Sequence, residues 1–283
     1  MKYFLIFISI ILINTFCNFV VDFKKFNPTE EFRDATTFTF SLIEKYIELP
    51  NDIYVEIFTF PFFNRDIVAD SNPKFYCFDD INDHILLPVS LYAQLYNVIR
   101  CGTNIDSHIT INFNMDDWIR PYYYFKTDGH VPFGYIDFVT ILLHEIIHGL
   151  GFGTGFNNSN GYYRFHPNLL IYDYYIFGDL IKMPLTSPFP LKRNQLSLLT
   201  NEPLFFKGNG SFQVYTPSNF ITGRSISHVA KNGLMNQITY TGTSKHCLTE
   251  ECIIFFRTVG YNVKESIPPC ISSASTLDYF KLF

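Results

Sequence analysis

The chain has 283 residues, enough to bury a sizeable core as one domain or two closely packed lobes. Its formal net charge is −5, and acidic and basic residues are interspersed, so no basic stripe is available to neutralise a phosphate backbone. We therefore predict that nucleic acid is not a partner.

The first residues have the pattern of a secretory signal. One basic residue is followed by an apolar run, and Thr15 and Cys17 have the small side chains that a signal-peptidase site requires. We predict a cleaved signal peptide over residues 1–17 and a protein that is secreted, extracellular or in the endomembrane lumen. The alternative is an uncleaved membrane tether, because apolar residues resume at 19–21 and lengthen the run.

Cysteine usage agrees with an oxidising compartment. No C-x-x-C pair occurs, so disulfides are a better interpretation than metal ligation for the five cysteines of the mature chain, Cys77, Cys101, Cys247, Cys252 and Cys270. The simplest arrangement joins Cys77 to Cys101 and pairs two of the last three, but sequence alone does not fix the pairing. Asn157 and Asn209 begin glycosylation sequons in stretches that read as surface loops.

The N-terminal half alternates between helical and strand patterns. Thr29 is a candidate cap for a helix that Pro50 stops, and apolar residues on both faces of 53–60 predict an inner strand. Residues 64–84 are polar and turn-rich, which favours a solvated loop over a calcium site, since the EF-hand spacing is absent.

Two further elements precede the central helix. Residues 86–100 have the pattern of a short helical segment. Residues 108–113 alternate between apolar and polar side chains, which predicts a strand with His108, Thr110 and Asn112 on a wet face.

The strongest motif is H-E-x-x-H within residues 140–152, in a predicted helix with Asp137 as its cap. His144 and His148 are one turn apart on the same helix face, so both imidazoles can reach one metal ion. Glu145 follows the first histidine and can take a proton from a metal-bound water. A cluster of glycines then stops the helix.

A catalytic zinc site usually has three protein ligands, so a third is needed. The compact pattern H-E-x-x-H-x-x-G-x-x-H is matched through Gly151, but its last position is Thr154. The remaining candidates are His166, His228, His246, Glu202, Glu250 and Glu251.

Among these candidates His228 is favoured, because Met235 follows it in a turn-like context. A terminal helix with Thr249 as cap is predicted next, ending near Gly260. In the rival arrangement, typical of gluzincins, Glu250 or Glu251 of that helix is the third ligand.

Three separated segments, HEIIHGLGF, SISHVAKNGLM and LTEECIIFFRTVGY, resemble the leishmanolysin-type zinc metallopeptidases. In those metzincins an insertion separates the glycine from the third histidine. The resemblance implies that His144, His148 and His228 bind zinc, that Glu145 is the general base and that Met235 is the Met-turn residue. It also implies that residues 108–113 form the sheet edge along which an extended peptide lies. The chain is shorter and has fewer cysteines than leishmanolysin itself, which predicts a reduced relative.

The patterns predict an α+β fold, and the resemblance implies that it is a metzincin-like, two-lobed catalytic domain. Residues 18–152 would form the N-terminal lobe, with a mixed sheet and the H-E-x-x-H helix. Residues 153–283 would form an irregular C-terminal lobe that carries the third ligand and the Met-turn and ends in a helix.

The function predicted from the sequence is a secreted zinc endopeptidase that acts on peptide or protein substrates. Glu145 would activate a zinc-bound water, and Tyr240 is a candidate donor to the oxyanion. The alternative is a secreted binding protein or adhesin with a non-catalytic metallopeptidase-like domain. Cleavage specificity, activation mechanism and oligomeric state are not readable from the sequence.

Overall fold

The computed structural model describes most of the chain between Phe19 and Ala274. The described residues are 19–24, 26–59, 62, 67–82, 84–97, 108–114, 122–159, 162–164, 169–178, 203–231, 233–268 and 272–274.

Within these residues the chain forms helices and short strands in an α+β arrangement. The helices are α1 (Glu30–Glu44), α2 (Val89–Tyr96), α3 (Phe138–Gly149), α4 (Ile171–Tyr174) and α5 (Glu250–Val259). The strands of the first half are β1 (Phe19–Phe23), β2 (Ile47–Glu48), β3 (Ile53–Thr59), β4 (Ala69–Pro73), β5 (Tyr76–Phe78), β6 (Ile85–Pro88), β7 (Ile109–Phe113), β8 (Tyr122–Tyr124) and β9 (Tyr135–Asp137). Those of the second half are β10 (Asn157–Ser159), β11 (Tyr162–Arg164), β12 (Leu169–Leu170), β13 (Ile176–Gly178), β14 (Leu204–Lys207), β15 (Ser211–Gln213), β16 (Thr243–Lys245), β17 (Asn262–Val263) and β18 (Ser272–Ala274).

The N-terminal half is built on a mixed four-stranded sheet with the order β1-β3-β7-β4. Strands β1, β3 and β7 are parallel, and β4 runs antiparallel to β7 with Asp70 opposite Asn112. Ile53, Val55 and Ile57 of β3 are fully buried between the two neighbouring strands. The prediction of an inner strand here is confirmed.

The position of β7 differs from the expectation for residues 108–113. Strand β7 lies between β3 and β4, so it is not the edge along which a peptide could lie, and His108 is fully buried rather than on a wet face. The edge strand next to β7 is β4, which lies inside residues 64–84, the stretch for which the sequence predicts a solvated loop. Its sequence, ADSNP, has no β-branched residue, so pairing with β7 and not intrinsic propensity makes it a strand. Proline at its end is tolerated at an edge.

The two other N-terminal helix predictions have different outcomes. Helix α1 begins as expected, because the Thr29 Oγ1 accepts a hydrogen bond from the Phe32 backbone N–H at 3.3 Å. The helical segment predicted over residues 86–100 is wrong in its first part. Residues up to Pro88 belong to β6, and α2 begins only after this proline, which cannot donate to a preceding turn.

Helices α1 and α3 pack against one face of the sheet through aromatic side chains. The Phe138 ring of α3 lies 4.6 Å from the Phe32 ring of α1 and 4.9 Å from the Phe113 ring of β7, measured between centroids. Gly149 at the end of α3 approaches β7 so closely that a Cβ there would lie 2.3 Å from Ile109 Cγ2. The helix that carries the motif is therefore held directly on the sheet.

The predicted terminal helix is confirmed as α5, and Thr249 is at its N-cap position, but the Thr249 side chain makes no capping hydrogen bond. Gly260 ends it in the left-handed region at φ +105°, where glycine has no steric penalty. Its Phe255 ring lies 5.1 Å from Phe152, just after α3, and 6.0 Å from Phe206 of β14. Helix α5 thus packs under the segment that leaves the H-E-x-x-H helix.

Several sequence predictions fall outside the described residues. The predicted signal peptide, residues 1–17, lies outside the described residues and stays a prediction. Cys101 and Cys270 are not described either, so the disulfide pairing also stays a prediction. Cys77 and Cys247 are disulfide-bonded, and Cys252 is a buried free thiol. The sequon at Asn157 lies in strand β10 and not in a loop, whereas Asn209 is exposed in the turn between β14 and β15.

No helix among the described residues combines the length and the apolar character needed to cross a bilayer.

Candidate metal centre

Helix α3 places three residues of the motif at a buried site. Its N-terminus is fixed by Asp137, whose carboxylate Oδ2 accepts hydrogen bonds from the Thr140 N–H at 2.8 Å and from His246 Nε2, also at 2.8 Å. One turn further on, His144 is 9% exposed and Glu145 is 6% exposed. The predicted helix and its cap are confirmed, and the motif lies inside the molecule.

The third member of the site comes from the distant segment 225–228. The His148 Nε2 lies 3.0 Å from the His144 Nε2 and 3.4 Å from the His228 Nε2. Ligand atoms of these three histidines all lie within 4.8 Å of one another. The structure therefore brings together two segments that are eighty positions apart in sequence.

Other sequence candidates for the third position lie elsewhere. His246 contacts Asp137 at the other end of α3, Glu250 is exposed, and Glu251 accepts a hydrogen bond from Thr249 Oγ1. His166 and Glu202 lie outside the described residues. Within the part of the chain that is described, only the three-histidine group has the spacing of a metal site.

A backbone carbonyl orients each imidazole ring of the group. The Nδ1 atoms of His144, His148 and His228 lie 2.8, 2.6 and 2.9 Å from the carbonyl oxygens of Leu234, Phe152 and Arg224, respectively. A carbonyl can only accept, so each Nδ1 carries the proton and each Nε2 lone pair faces the shared centre. Sequence reasoning could not find these carbonyl partners, because every residue type has one.

Burial keeps the three rings uncharged. It lowers the pKa of His144 to about 3 and that of His148 to about 4, and repulsion between the protonated forms of the two rings contributes to the shift of His144. Burial also lowers the pKa of His228 well below its ordinary value, with a further contribution from the other two histidines. Neutral imidazole is the form that binds a metal ion.

The residue set fits a zinc ion. Zinc–nitrogen bonds of about 2.0–2.1 Å in a tetrahedral site place two ligand nitrogens about 3.3 Å apart. The two Nε2 distances of 3.0 and 3.4 Å match this spacing. Three converging lone pairs without a proton between them repel one another, and a cation at their centre removes that repulsion.

Glu145 lies beside the histidines in a low-dielectric setting. Burial, and secondly the negative charge of Asp70 on β4, raises the pKa of the Glu145 carboxyl well above its ordinary value. Burial also raises the pKa of the Tyr123 phenol, with a further contribution from Glu145. The Tyr123 hydroxyl donates to the Val68 carbonyl at 2.9 Å. Asp70 and Tyr123 are thus neighbours of the motif that the sequence analysis missed.

The two remaining predicted residues have different surroundings. Met235 is fully buried, its backbone oxygen accepts from the Val229 N–H at 2.9 Å, and the preceding Leu234 orients His144. Tyr240 is half-buried, and its carbonyl accepts from Thr243 Oγ1 at 2.9 Å. Tyr240 is not part of the histidine group, and its role at an oxyanion stays a prediction.

A second buried acid, Asp173 of α4, lies near the glycine-rich segment after α3. It is fully buried and accepts hydrogen bonds from Thr154 Oγ1 at 2.5 Å and from the Gly155 N–H at 2.9 Å. Burial raises its pKa from 3.8 to about 7, although both hydrogen bonds oppose that shift.

Asp173 should therefore make the folded state less stable as the pH rises. Between about pH 4 and about pH 7 the unfolded chain releases this proton while the folded protein retains it, so the folded state loses stability across that window. We expect Asp173→Asn, which does not titrate, to gain on the order of 1 kcal/mol over wild type for each pH unit in the window. Urea unfolding of both metal-free proteins across the window measures this gain. A difference that does not change with pH would contradict the prediction.

The fold and the site together define an α+β protein with a buried three-histidine H-E-x-x-H…H site. Residues 66–186 match the family model described as SPBPB7E8-like, a stretch that contains β4, α3 and Asp173 but not His228. Comparisons with curated proteins and with solved structures gave no match.

Proposed function

We propose that the protein is a secreted zinc-dependent endopeptidase of the metzincin class, similar to the leishmanolysin type. The observation that carries the proposal is the convergence of three neutral Nε2 atoms, each ring held by a carbonyl, beside a buried glutamate. The sequence resemblance in three separated segments supports the same class. It also supports Met235 as the Met-turn residue.

His144, His148 and His228 would hold the zinc ion. When bound, zinc supplies a Lewis acid that makes a water molecule more acidic and polarises a carbonyl group. A cation held by the histidines would lower the pKa of the Glu145 carboxyl again and favour its ionised form. The Glu145 carboxylate oxygen would then take the proton of the attacking water and return it to the nitrogen of the leaving amine. Burial excludes bulk water from the site, which strengthens the electrostatic effect of the metal ion and the proton transfer by Glu145.

The substrate is proposed to be an extended peptide or protein segment along β4. Strand β4 replaces residues 108–113 as the proposed docking edge, because it is the terminal strand next to β7. The backbone of an edge strand can pair with an added peptide strand. Asp70 of β4 lies near enough to Glu145 to affect its pKa, so a peptide on this edge would pass the catalytic residue.

The proposal is tested by incubating the purified, zinc-loaded chain with a diverse peptide library. We expect the protein to cleave internal peptide bonds. A chelator should abolish this activity, and added zinc should restore it. Stoichiometric zinc without hydrolysis of any peptide would contradict the enzyme proposal. That result would favour a secreted binding protein with a non-catalytic metal site.

A further inference from the structure

We propose that Asp173, Thr154 and Ser227 form a positioning relay that anchors the loop of the third ligand. The relay lies where the compact metzincin motif has its third histidine, at Thr154. This inference rests on the proposed zinc site and assigns these residues a role in holding the geometry of that site.

The first step of the relay fixes the segment after α3. Asp173 binds this segment at two successive residues, through Thr154 Oγ1 and the Gly155 N–H. Thr154 Oγ1 also accepts from the Phe156 N–H at 3.1 Å. Position 155 has no room for a residue larger than glycine, because a Cβ there would lie 2.9 Å from Leu170 Cγ.

The same segment carries the carbonyl that orients His148. Phe152 lies two positions before Thr154, and its oxygen lies 2.6 Å from the His148 Nδ1. An anchor at Thr154 and Gly155 therefore limits the movement of an acceptor that faces one zinc ligand.

The second step joins this segment to the loop of His228. The Thr154 backbone N–H donates to Ser227 Oγ at 3.2 Å, and Ser227 directly precedes the third histidine. Thr154 thus uses its side chain to bind Asp173 and its backbone to bind the neighbour of the ligand. The threonine side chain therefore fixes the position of the backbone N–H that binds the His228 loop, and it needs no bond to the metal.

A parallel contact from α4 supports the same loop. The hydroxyl of Tyr172, the residue before Asp173, donates to the Ile226 carbonyl at 2.8 Å. Ile226 has φ +68°, a left-handed conformation that is costly for a β-branched residue and persists only where surrounding contacts enforce it. Adjacent residues of α4 therefore hold both the segment after α3 and the His228 loop.

The relay predicts a specific loss of metal affinity when its hydrogen bonds are removed. We expect Thr154→Val and Ser227→Ala each to weaken zinc binding by about 10- to 100-fold, as is typical for residues that orient metal ligands. Thr154→Ser keeps the hydroxyl and should retain wild-type affinity. Zinc affinity is measured on the full chain by competition with a chromophoric chelator, and the visible spectrum of the Co²⁺-loaded protein reports displacement of a ligand.

The matched control is Thr39→Val. Thr39 is fully buried in α1, and its hydroxyl donates to the Ala35 carbonyl at 2.7 Å, outside the relay. This substitution likewise replaces a hydroxyl by a methyl group, and it should leave zinc affinity and the Co²⁺ spectrum unchanged. If Thr154→Val does not fold, Ser227→Ala decides by the same criteria, because it removes one oxygen only.

Three negative results have different meanings. A wild-type protein that takes up no zinc would overturn both the proposed function and the relay. A wild-type protein with one zinc ion, together with wild-type affinity in the folded relay variants, would overturn the relay alone. Equal loss of zinc affinity in Thr39→Val would also overturn it.

Discussion

Replacement of Glu145 by glutamine should lower the rate of peptide hydrolysis by about 10²- to 10⁴-fold while the protein retains one zinc ion. Glutamine has nearly the same shape as glutamate but cannot accept the proton of the attacking water. Since Glu145 is not one of the three converging ligands, metal content should not change. Single-turnover cleavage of a fluorogenic peptide and metal analysis of the same sample measure the two effects.

Glu31→Gln is the matched control for this variant. Glu31 is exposed in the first turn of α1, away from the histidines, so its replacement should leave hydrolysis unchanged. Wild-type activity in Glu145→Gln would show that Glu145 is not the general base. Loss of zinc in that variant would instead indicate that the carboxylate is a metal ligand.

The second large effect is expected at His228. His228→Ala removes one of three nitrogen ligands, so its effect on zinc affinity should exceed the roughly 10- to 100-fold loss typical of ligand-orienting residues. Hydrolysis should fall with it, because the remaining two histidines do not hold the ion in the geometry of the site. Metal analysis after gel filtration, together with chelator competition, measures the loss.

His130→Ala serves as the control, since His130 is an exposed histidine on the loop between β8 and β9. It should retain one zinc ion and full activity. Stoichiometric zinc in His228→Ala would show that another residue completes the site. Glu250 and Glu251 of α5 would then return as candidates for the third ligand, although they lie outside the three-histidine group.

Much of the scaffold around the site follows from local sequence. Asp137 caps α3 as its side-chain chemistry predicts, and Gly260 ends α5 in the left-handed conformation that glycine permits. The alternation in β7 correctly predicted a strand. These features depend on neighbours in sequence, so the pattern of residue types is sufficient to find them.

The errors concern features that only tertiary contacts decide. Strand β4 has a polar sequence and exists because β7 offers it an antiparallel partner. His108 alternates with apolar residues as a solvent-facing residue would, yet it is fully buried, with its ring 5.4 Å from that of Tyr54. A periodic pattern describes one strand and cannot show what packs against it.

The metal site itself was predictable only in part. His144 and His148 share a helix face, so their spacing is sufficient to bring them together. His228 could be favoured only through its sequence context and a family resemblance, because no periodicity links it to α3. Asp173 and Tyr123 gave no signal at all, since one lies in a short aromatic helix and the other in a run of tyrosines.

The most direct test of the proposed zinc site is X-ray absorption spectroscopy of the zinc-loaded wild-type protein at the zinc edge. We expect one zinc ion per chain with three imidazole nitrogens at about 2.0–2.1 Å and one light-atom ligand from solvent. Fewer than three imidazoles, or a protein carboxylate or thiolate in place of one of them, would contradict coordination by His144, His148 and His228.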